Sequence, residues 1–217
     1  MGCYVKGLII DAFCELGPSK YGLAIADVSG KGVPASLLMA IGQTTLRYLA
    51  KGGEAPAEAF ILLNRELNER MREDMFITAI YGIIDIKKNT FTFARAGHEL
   101  PLVVRPGKGR AKPKAEYLKS EGLALGMVPN ELFEEVISDC VVPFNPGDFL
   151  VLFTDGITEA ADSKDEQFST ERLASFSEQS FGKSPKQFND ELLTKLQGYA
   201  GDALRADDIT LIATRRK

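Results

Sequence analysis

Three aspartates stand where apolar runs end or begin. Asp27 closes the run Tyr21 to Ala26, Asp155 follows the run that ends at Phe153 by two residues, and Asp207 lies just ahead of Ile209 to Ala213. A carboxylate at a strand tip points off the sheet edge, where several strands bring such groups together. Three converging carboxylates repel one another and carry a desolvation cost unless a cation sits among them. Oxygen ligands of this kind suit Mg²⁺ or Mn²⁺, and two such ions a few ångströms apart activate a water and clamp a phosphoryl group. A single strand-end Asp is more often a cap or turn residue, so it is the trio that points to metal-assisted phosphoryl chemistry.

The neighbouring residues narrow the alternatives. Ser29-Gly30-Lys31-Gly32 has the look of a phosphate loop, but G-x-x-x-x-G-K-[ST] requires Gly where Ile25 stands and Ser or Thr where Gly32 stands. Thr154-Asp155-Gly156-Ile157-Thr158 shares a string with the aspartyl-phosphate phosphatases of the haloacid-dehalogenase type; their nucleophile would fall at Phe153, which argues strongly against a covalent aspartate route for this stretch. His98 is the only histidine, and the three cysteines form no C-x-x-C pair, so a zinc site is not expected. Beside Gly97, His98 reads as a structural residue, with a general acid as the alternative. Lys31 reads as a phosphate contact or a solvated side chain, Glu159 as a residue that orders the Asp155 turn, and Asp208 as the alternative to Asp207.

Five strands are predicted to carry these groups: Tyr21 to Ala26, Phe76 to Ile86, Thr90 to Ala96, Asp148 to Phe153 and Ile209 to Ala213. The second and third flank a Lys-Lys-Asn turn and form a hairpin. Between the first strand and the second lie a helix over Ala35 to Ala50, entered through Pro34, and another opened by Pro56 and running to Arg72. That second helix has Ala59, Leu63, Leu67 and Met71 on one stripe. Ser184-Pro185-Lys186-Gln187 has the form of a capping box and launches a helix with Phe188, Leu192, Leu196 and Tyr199 on one face, stopped by Gly201. The stretch Arg105 to Lys114 reads as an exposed basic loop between strands. Hairpins followed by paired helices and further strands make an α+β layered domain with a mainly antiparallel sheet.

Composition bounds the function classes. With 217 residues, 45% hydrophobic and 26% charged, the chain is a globular domain with a real core. A net charge of −4 and a pI near 5.2 argue against a nucleic-acid binder. No apolar run approaches the roughly 20 residues of a membrane span, and the start MGCYVKG is not a secretory signal, so no membrane contact is expected of this domain. Three unpaired cysteines fit a reducing, cytoplasmic setting.

The string from Asp27 to Ala40, DVSGKGVPASLLMA, resembles the signature of the bacterial metal-dependent protein phosphatases related to sporulation stage II protein E and the stress-sigma-factor regulators. The resemblance continues in family order through Phe76-Ile77-Thr78-Ala79, Ala96-Gly97-His98 with Pro101, Leu123 to Met127, Phe153 to Ala160, and Asp207-Asp208-Ile209-Thr210-Leu211. It implies a four-layer α-β-β-α sandwich with mainly antiparallel sheets flanked by helices, and a centre of two Mn²⁺ or Mg²⁺ ions. Carried over, Asp27 bridges both ions, the Val28 carbonyl binds one of them, and Asp155 and Asp207 hold the second. A bridging water then attacks the phosphorus in line, without a phosphoenzyme.

By the same resemblance the substrate is a phosphoserine or phosphothreonine on a regulatory protein, such as an anti-sigma-factor antagonist. Residues 1–217 form one phosphatase domain, compatible with excision from a longer regulatory protein with an upstream sensor domain. The sequence shows no oligomeric state.

Two departures from the family pattern stand out. The early Gly-Gly-Asp-Phe-Tyr-Asp-like block reads Ile9-Ile10-Asp11-Ala12-Phe13-Cys14, which keeps Asp11 at the metal-ligand position when Phe13 is set on the Tyr. A one-residue slip would place Ala12 there and turn Asp11 to the opposite face. No His matches the general acid of the eukaryotic-type relatives, which leaves protonation of the leaving group to water or another group. The altered block motivates a second reading, a phosphatase-fold scaffold or signalling module with weak catalysis.

Overall fold

The apolar runs fold as strands of two five-stranded antiparallel sheets, each with its own helices. The computed structural model describes residues 2–6, 12–69, 75–107, 109, 111–201 and 209–217. In chain order the strands are β1 (Gly2–Lys6), β2 (Ala12–Gly17), β3 (Lys20–Val28), β4 (Ile77–Asp85), β5 (Thr90–Ala96), β6 (Leu102–Arg105), β7 (Lys114–Tyr117), β8 (Cys140–Pro143), β9 (Phe149–Phe153) and β10 (Ile209–Arg215). The helices are α1 (Val33–Gly52), α2 (Pro56–Asn68), α3 (Asn130–Val136), α4 (Asp155–Thr158), α5 (Ser169–Gln179) and α6 (Pro185–Ala200). The α+β class and the antiparallel pairing agree with the sequence expectation.

The chain divides into two compact units. One comprises Leu8–His98 and Ser120–Phe144, and its sheet runs β2-β3-β4-β5-β8. Strand β3 is buried without interruption from Gly22 to Ala26, which is why it reads as an apolar run rather than an alternation. On the helix side its small residues Ala24 and Ala26, with Ala79, Ala94 and Ala96 of the neighbouring strands, leave room for Leu38, Met39, Leu46, Phe60, Leu63 and Leu67. Size complementarity of this kind fills a core at native density.

Helix α1 ends at Gly53 in the left-handed region, whose N–H donates to the Ala50 carbonyl, a glycine C-cap. Helix α2 opens at Pro56, and the Asp139 carboxylate, far along the chain, accepts the free Ala57 N–H at 2.8 Å. It closes at Asn68, so the expected extension to Arg72 runs past the observed end, and Met71 lies outside the described residues.

The second unit comprises Met1–Gly7, Glu99–Lys119 and Asn145–Lys217, with sheet order β1-β10-β9-β6-β7. Its core joins Leu102, Val104, Phe149, Val151 and Phe153 of the strands to Leu173 and Phe176 of α5 and to Phe188, Leu192 and Leu196 of α6. The last three are the stripe that the heptad-like spacing predicts. The capping box forms: the Gln187 N–H donates to Ser184 Oγ at 3.2 Å and the Ser184 N–H to Gln187 Oε1 at 3.0 Å. Arg105 ends β6 and Lys114 opens β7, so the basic stretch is a connection between paired strands. Among the described residues, no helix is long and apolar enough to cross a membrane.

The β4–β5 hairpin closes over the predicted Lys-Lys-Asn turn. Asp85, 9% exposed, accepts the Lys87 and Lys88 N–H groups at 3.0 Å each, and Asn89 takes a positive φ of 52°. The Lys88 N–H, against the opposing effect of burial, holds the Asp85 carboxyl below its ordinary value. Its contribution is therefore complete above the unfolded value of about 3.9 and is lost as pH falls through the lower folded one. Asp85→Ala is expected to cost about 1 kcal/mol near neutrality, from lost hydrogen bonds. Urea unfolding should show that difference shrinking as pH is lowered from about 6 to about 2.

Candidate functional site

Strand β3 delivers Asp27 and Val28 to its end. Across the ladder Asp27 is opposite Thr78 and Val28 opposite Ile77. Side chains alternate along a strand, so Val28 joins Ala24 and Ala26 on the helix face while Asp27 lies on the other face, as Leu23 and Ile25 do. Val28 is buried, and Asp27 keeps partial access to water.

The chain then turns through Ser29-Gly30-Lys31-Gly32 into α1, with Gly30 at φ 87° and Gly32 at φ 84°, a region that glycine enters without strain. Two bonds lock this turn to the start of β4: the Ser29 N–H donates to the Phe76 carbonyl at 2.9 Å and the Phe76 N–H to Ser29 Oγ at 2.7 Å. The Ser36 N–H and Oγ–H both reach the Gly32 carbonyl, fixing the helix entry. Lys31 is exposed.

Asp155 is placed by different means. All five residues of β9 are buried, and so is Thr154 after them. Asp155, two residues past the end of β9, is the first residue of the one-turn helix α4. It is exposed, although Gly156, Ile157 and Thr158 behind it are buried. Its carbonyl accepts the Glu159 N–H at 2.8 Å and the Thr158 hydroxyl at 3.2 Å, so Glu159 serves the turn through its backbone. Thr154 ties this corner to the start of β10: its N–H donates to the Thr210 carbonyl at 3.1 Å, and its Oγ1 accepts the Thr210 N–H at 2.9 Å.

His98 is 5% exposed, and its Nδ1 shares a hydrogen bond of 2.9 Å with Thr78 Oγ1, in keeping with the structural reading. Asp11, Asp207 and Asp208 lie outside the described residues. Among the described residues, no three His, Cys, Asp or Glu side chains group together as a metal site. The sequence reading missed Thr78 as the cross-strand neighbour of Asp27, and Ser29 and Thr154 as clamps. The signal for Thr78 was a lone hydroxyl residue in the apolar run from Phe76 to Ile80.

Solved structures share this arrangement of strands and helices. The SiaA-PP2C domain of Pseudomonas aeruginosa matches with a TM-score of 0.82 at 20% identity, over 100% of this chain and 85% of that one. The PP2C phosphatase domain of SpoIIE from Bacillus subtilis, solved with a fragment of its regulatory domain, matches with a TM-score of 0.78 at 20% identity, over 99% and 62%. The fold is that of the PP2C phosphatase domains. The profile of the Stage II sporulation protein E (SpoIIE) family matches residues 17–217, and the chain belongs to that family. Phosphoserine phosphatase RsbU of Bacillus subtilis (strain 168) is 32% identical over 204 residues, covering 90% of this chain and 55% of RsbU. The chain thus spans about half the length of that curated relative.

Thr154 is 1% exposed and Thr210 fully buried. Thr154→Val keeps the shape but leaves the Thr210 N–H without its acceptor, at an expected cost of about 1–3 kcal/mol. Urea unfolding should show this as a lower midpoint with an unchanged slope.

Proposed function

We propose that this chain is a metal-dependent phosphatase domain that hydrolyses phosphoserine or phosphothreonine on a regulatory protein. The observation that carries the reading is the pair of solvent-reaching aspartates, Asp27 and Asp155. Each stands at the end of a strand whose core residues are all buried, within a chain of the SpoIIE family. RsbU, named a phosphoserine phosphatase, supports the same chemistry for its relative here.

The donor chemistry fits a hard divalent cation: carboxylates at Asp27 and Asp155 and the Val28 carbonyl, all oxygens, suit Mn²⁺ or Mg²⁺. Asp27, the Val28 carbonyl, Asp155, Asp207 and Asp11 would be the ligands. Two such ions, when bound, lower the pKa of a water and offset charge on the transferring phosphoryl oxygens. The chain's own part is to keep those oxygens fixed. The Ser29–Phe76 pair holds the turn after Asp27, and the Thr154–Thr210 pair holds the corner before Asp155. Neither carboxylate is read as a nucleophile, in line with Phe153 at the position a covalent aspartate would need. With no histidine beyond His98, water or another group would protonate the leaving alkoxide. The substrate is read as a small signalling protein such as an anti-sigma-factor antagonist, and an upstream sensor domain as the source of regulation.

Hydrolysis of p-nitrophenyl phosphate and of a phosphoserine peptide, with Mn²⁺ added after chelation, tests the proposal. Turnover should vanish with the chelator and return with Mn²⁺. Asp27→Asn and Asp155→Asn should each lower kcat/KM by at least the roughly 10–100-fold that losing even an outer partner of a ligand costs. Unchanged turnover in both variants sinks the reading.

A further inference from the structure

His98 and Thr78 are joined by a side-chain hydrogen bond at the end of β4 that carries a neighbour of Asp27. Thr78 is the register partner of Asp27 and lies on the same face of the sheet. Directly opposed residues in an antiparallel pair have Cβ atoms about 4.5–5.5 Å apart, within side-chain reach. The other side of Thr78 is occupied by His98, through the 2.9 Å bond between Nδ1 and Oγ1. That bond exists in either neutral tautomer, the hydroxyl donating to a bare Nδ1 or accepting from Nδ1–H.

The backbone on each side of this pair is pinned. Ile77, next to Thr78, exchanges two hydrogen bonds with Leu125 at 3.0 and 2.8 Å. The turn after Leu125 is in turn held by the buried Asn64 of α2, whose Oδ1 accepts the Gly126 N–H at 2.8 Å. Arg95 spans the His98 side: its Nη1 donates to the His98 carbonyl at 2.9 Å, and its Nε and Nη2 both donate to the Ser120 carbonyl. Gly97, at φ 68°, lies so close to Ala124 that an added Cβ would stand 2.9 Å from its backbone nitrogen, and a Cβ at Gly122 would stand 1.6 Å from the Arg95 carbonyl oxygen. No other residue type fits at those two places.

We infer that His98 is a positioning residue for Asp27, acting through Thr78. The imidazole fixes the rotamer of the hydroxyl, and the fixed hydroxyl limits the orientations open to the Asp27 carboxylate beside it. This rests on the reading of Asp27 as a metal ligand. Partners that orient ligating carboxylates typically contribute 10–100-fold to metal affinity.

The test is calorimetric titration of the apo chain with Mn²⁺, alongside thermal melting. Thr78→Val and His98→Phe are each expected to raise the Mn²⁺ Kd by about 10–100-fold. The double variant should be no worse than the weaker-binding single one, since the two residues act as one unit. Thr78→Ser and His98→Asn, which keep a hydroxyl and a polar group in place, should restore most of the affinity. Thr78→Val exchanges a hydroxyl for a methyl of the same shape, so it decides the matter should His98→Phe fail to fold.

Asp27→Asn separates the two claims. If it abolishes Mn²⁺ binding while Thr78→Val and His98→Phe bind as the parent does, the positioning role is overturned and the phosphatase reading stands. If Asp27→Asn binds Mn²⁺ undiminished, the metal assignment itself fails. A loss in Thr78→Val that Thr78→Ser does not reverse also overturns the positioning role.

Discussion

Burial on both faces of a strand confines its polar side chains to its ends. In β9 every residue is buried, and in β3 the run from Gly22 to Ala26 is buried too, so neither strand can carry a carboxylate within its length without a desolvation cost of several kcal/mol. Asp27 and Asp155 stand just where that constraint lifts. An end of a strand has no further ladder to hold it, so each corner needs its own ties. In both, a hydroxyl residue supplies one half of a reciprocal pair with backbone at or beside the start of another strand: Ser29 with Phe76, Thr154 with Thr210. These bonds are modest in net stability, about 1 kcal/mol each, but at the buried Thr154–Thr210 corner leaving an N–H unmet costs more, and that asymmetry holds it.

The division of size between sheet and helices serves the same end. Alanines along β3, β4 and β5 face leucines and a phenylalanine from α1 and α2, so the helices lie close upon the strands. Helix α1 starts five residues after Val28, and its entry is set by two glycines at positive φ and by Ser36 on the Gly32 carbonyl. With α2 capped by Asp139 and tied to the Leu125 turn through Asn64, the layer is braced from segments distant in sequence.

Much of this was legible from the residues alone. The strands β3, β4, β5, β9 and β10 followed from apolar runs, the β4–β5 turn from Lys-Lys-Asn, and the entry of α6 from its capping box. Strands β7 and β8 were not, because four-residue edge strands with every second side chain exposed carry little periodic signal. Helix α5 escaped because its buried apolar contribution rests on Leu173 and Phe176 in an otherwise polar segment. In the site, Asp27 and Asp155 were visible because an aspartate after an apolar run is conspicuous. Their supports were not: Ser29 meets Phe76 across 47 positions, Thr78 meets His98 across 20, and Thr154 meets Thr210 across 56. Such partners are set by strand register, which one-dimensional patterning does not specify.

The exposure of the two described aspartates also bears on how metal and folding are linked. A carboxylate buried without a partner would need its cation before the chain could fold, as in small structural metal domains. Asp27 keeps access to water and Asp155 is exposed, so each stays hydrated without an ion, and the apolar cores around Phe60 and Phe188 form without reference to it. The ties at Ser29 and Thr154 are likewise backbone-directed. On the proposed metal role, cation affinity would then depend on how well these corners aim their oxygens. For Asp27, the proposed positioning pair across the ladder is Thr78 with His98 behind it.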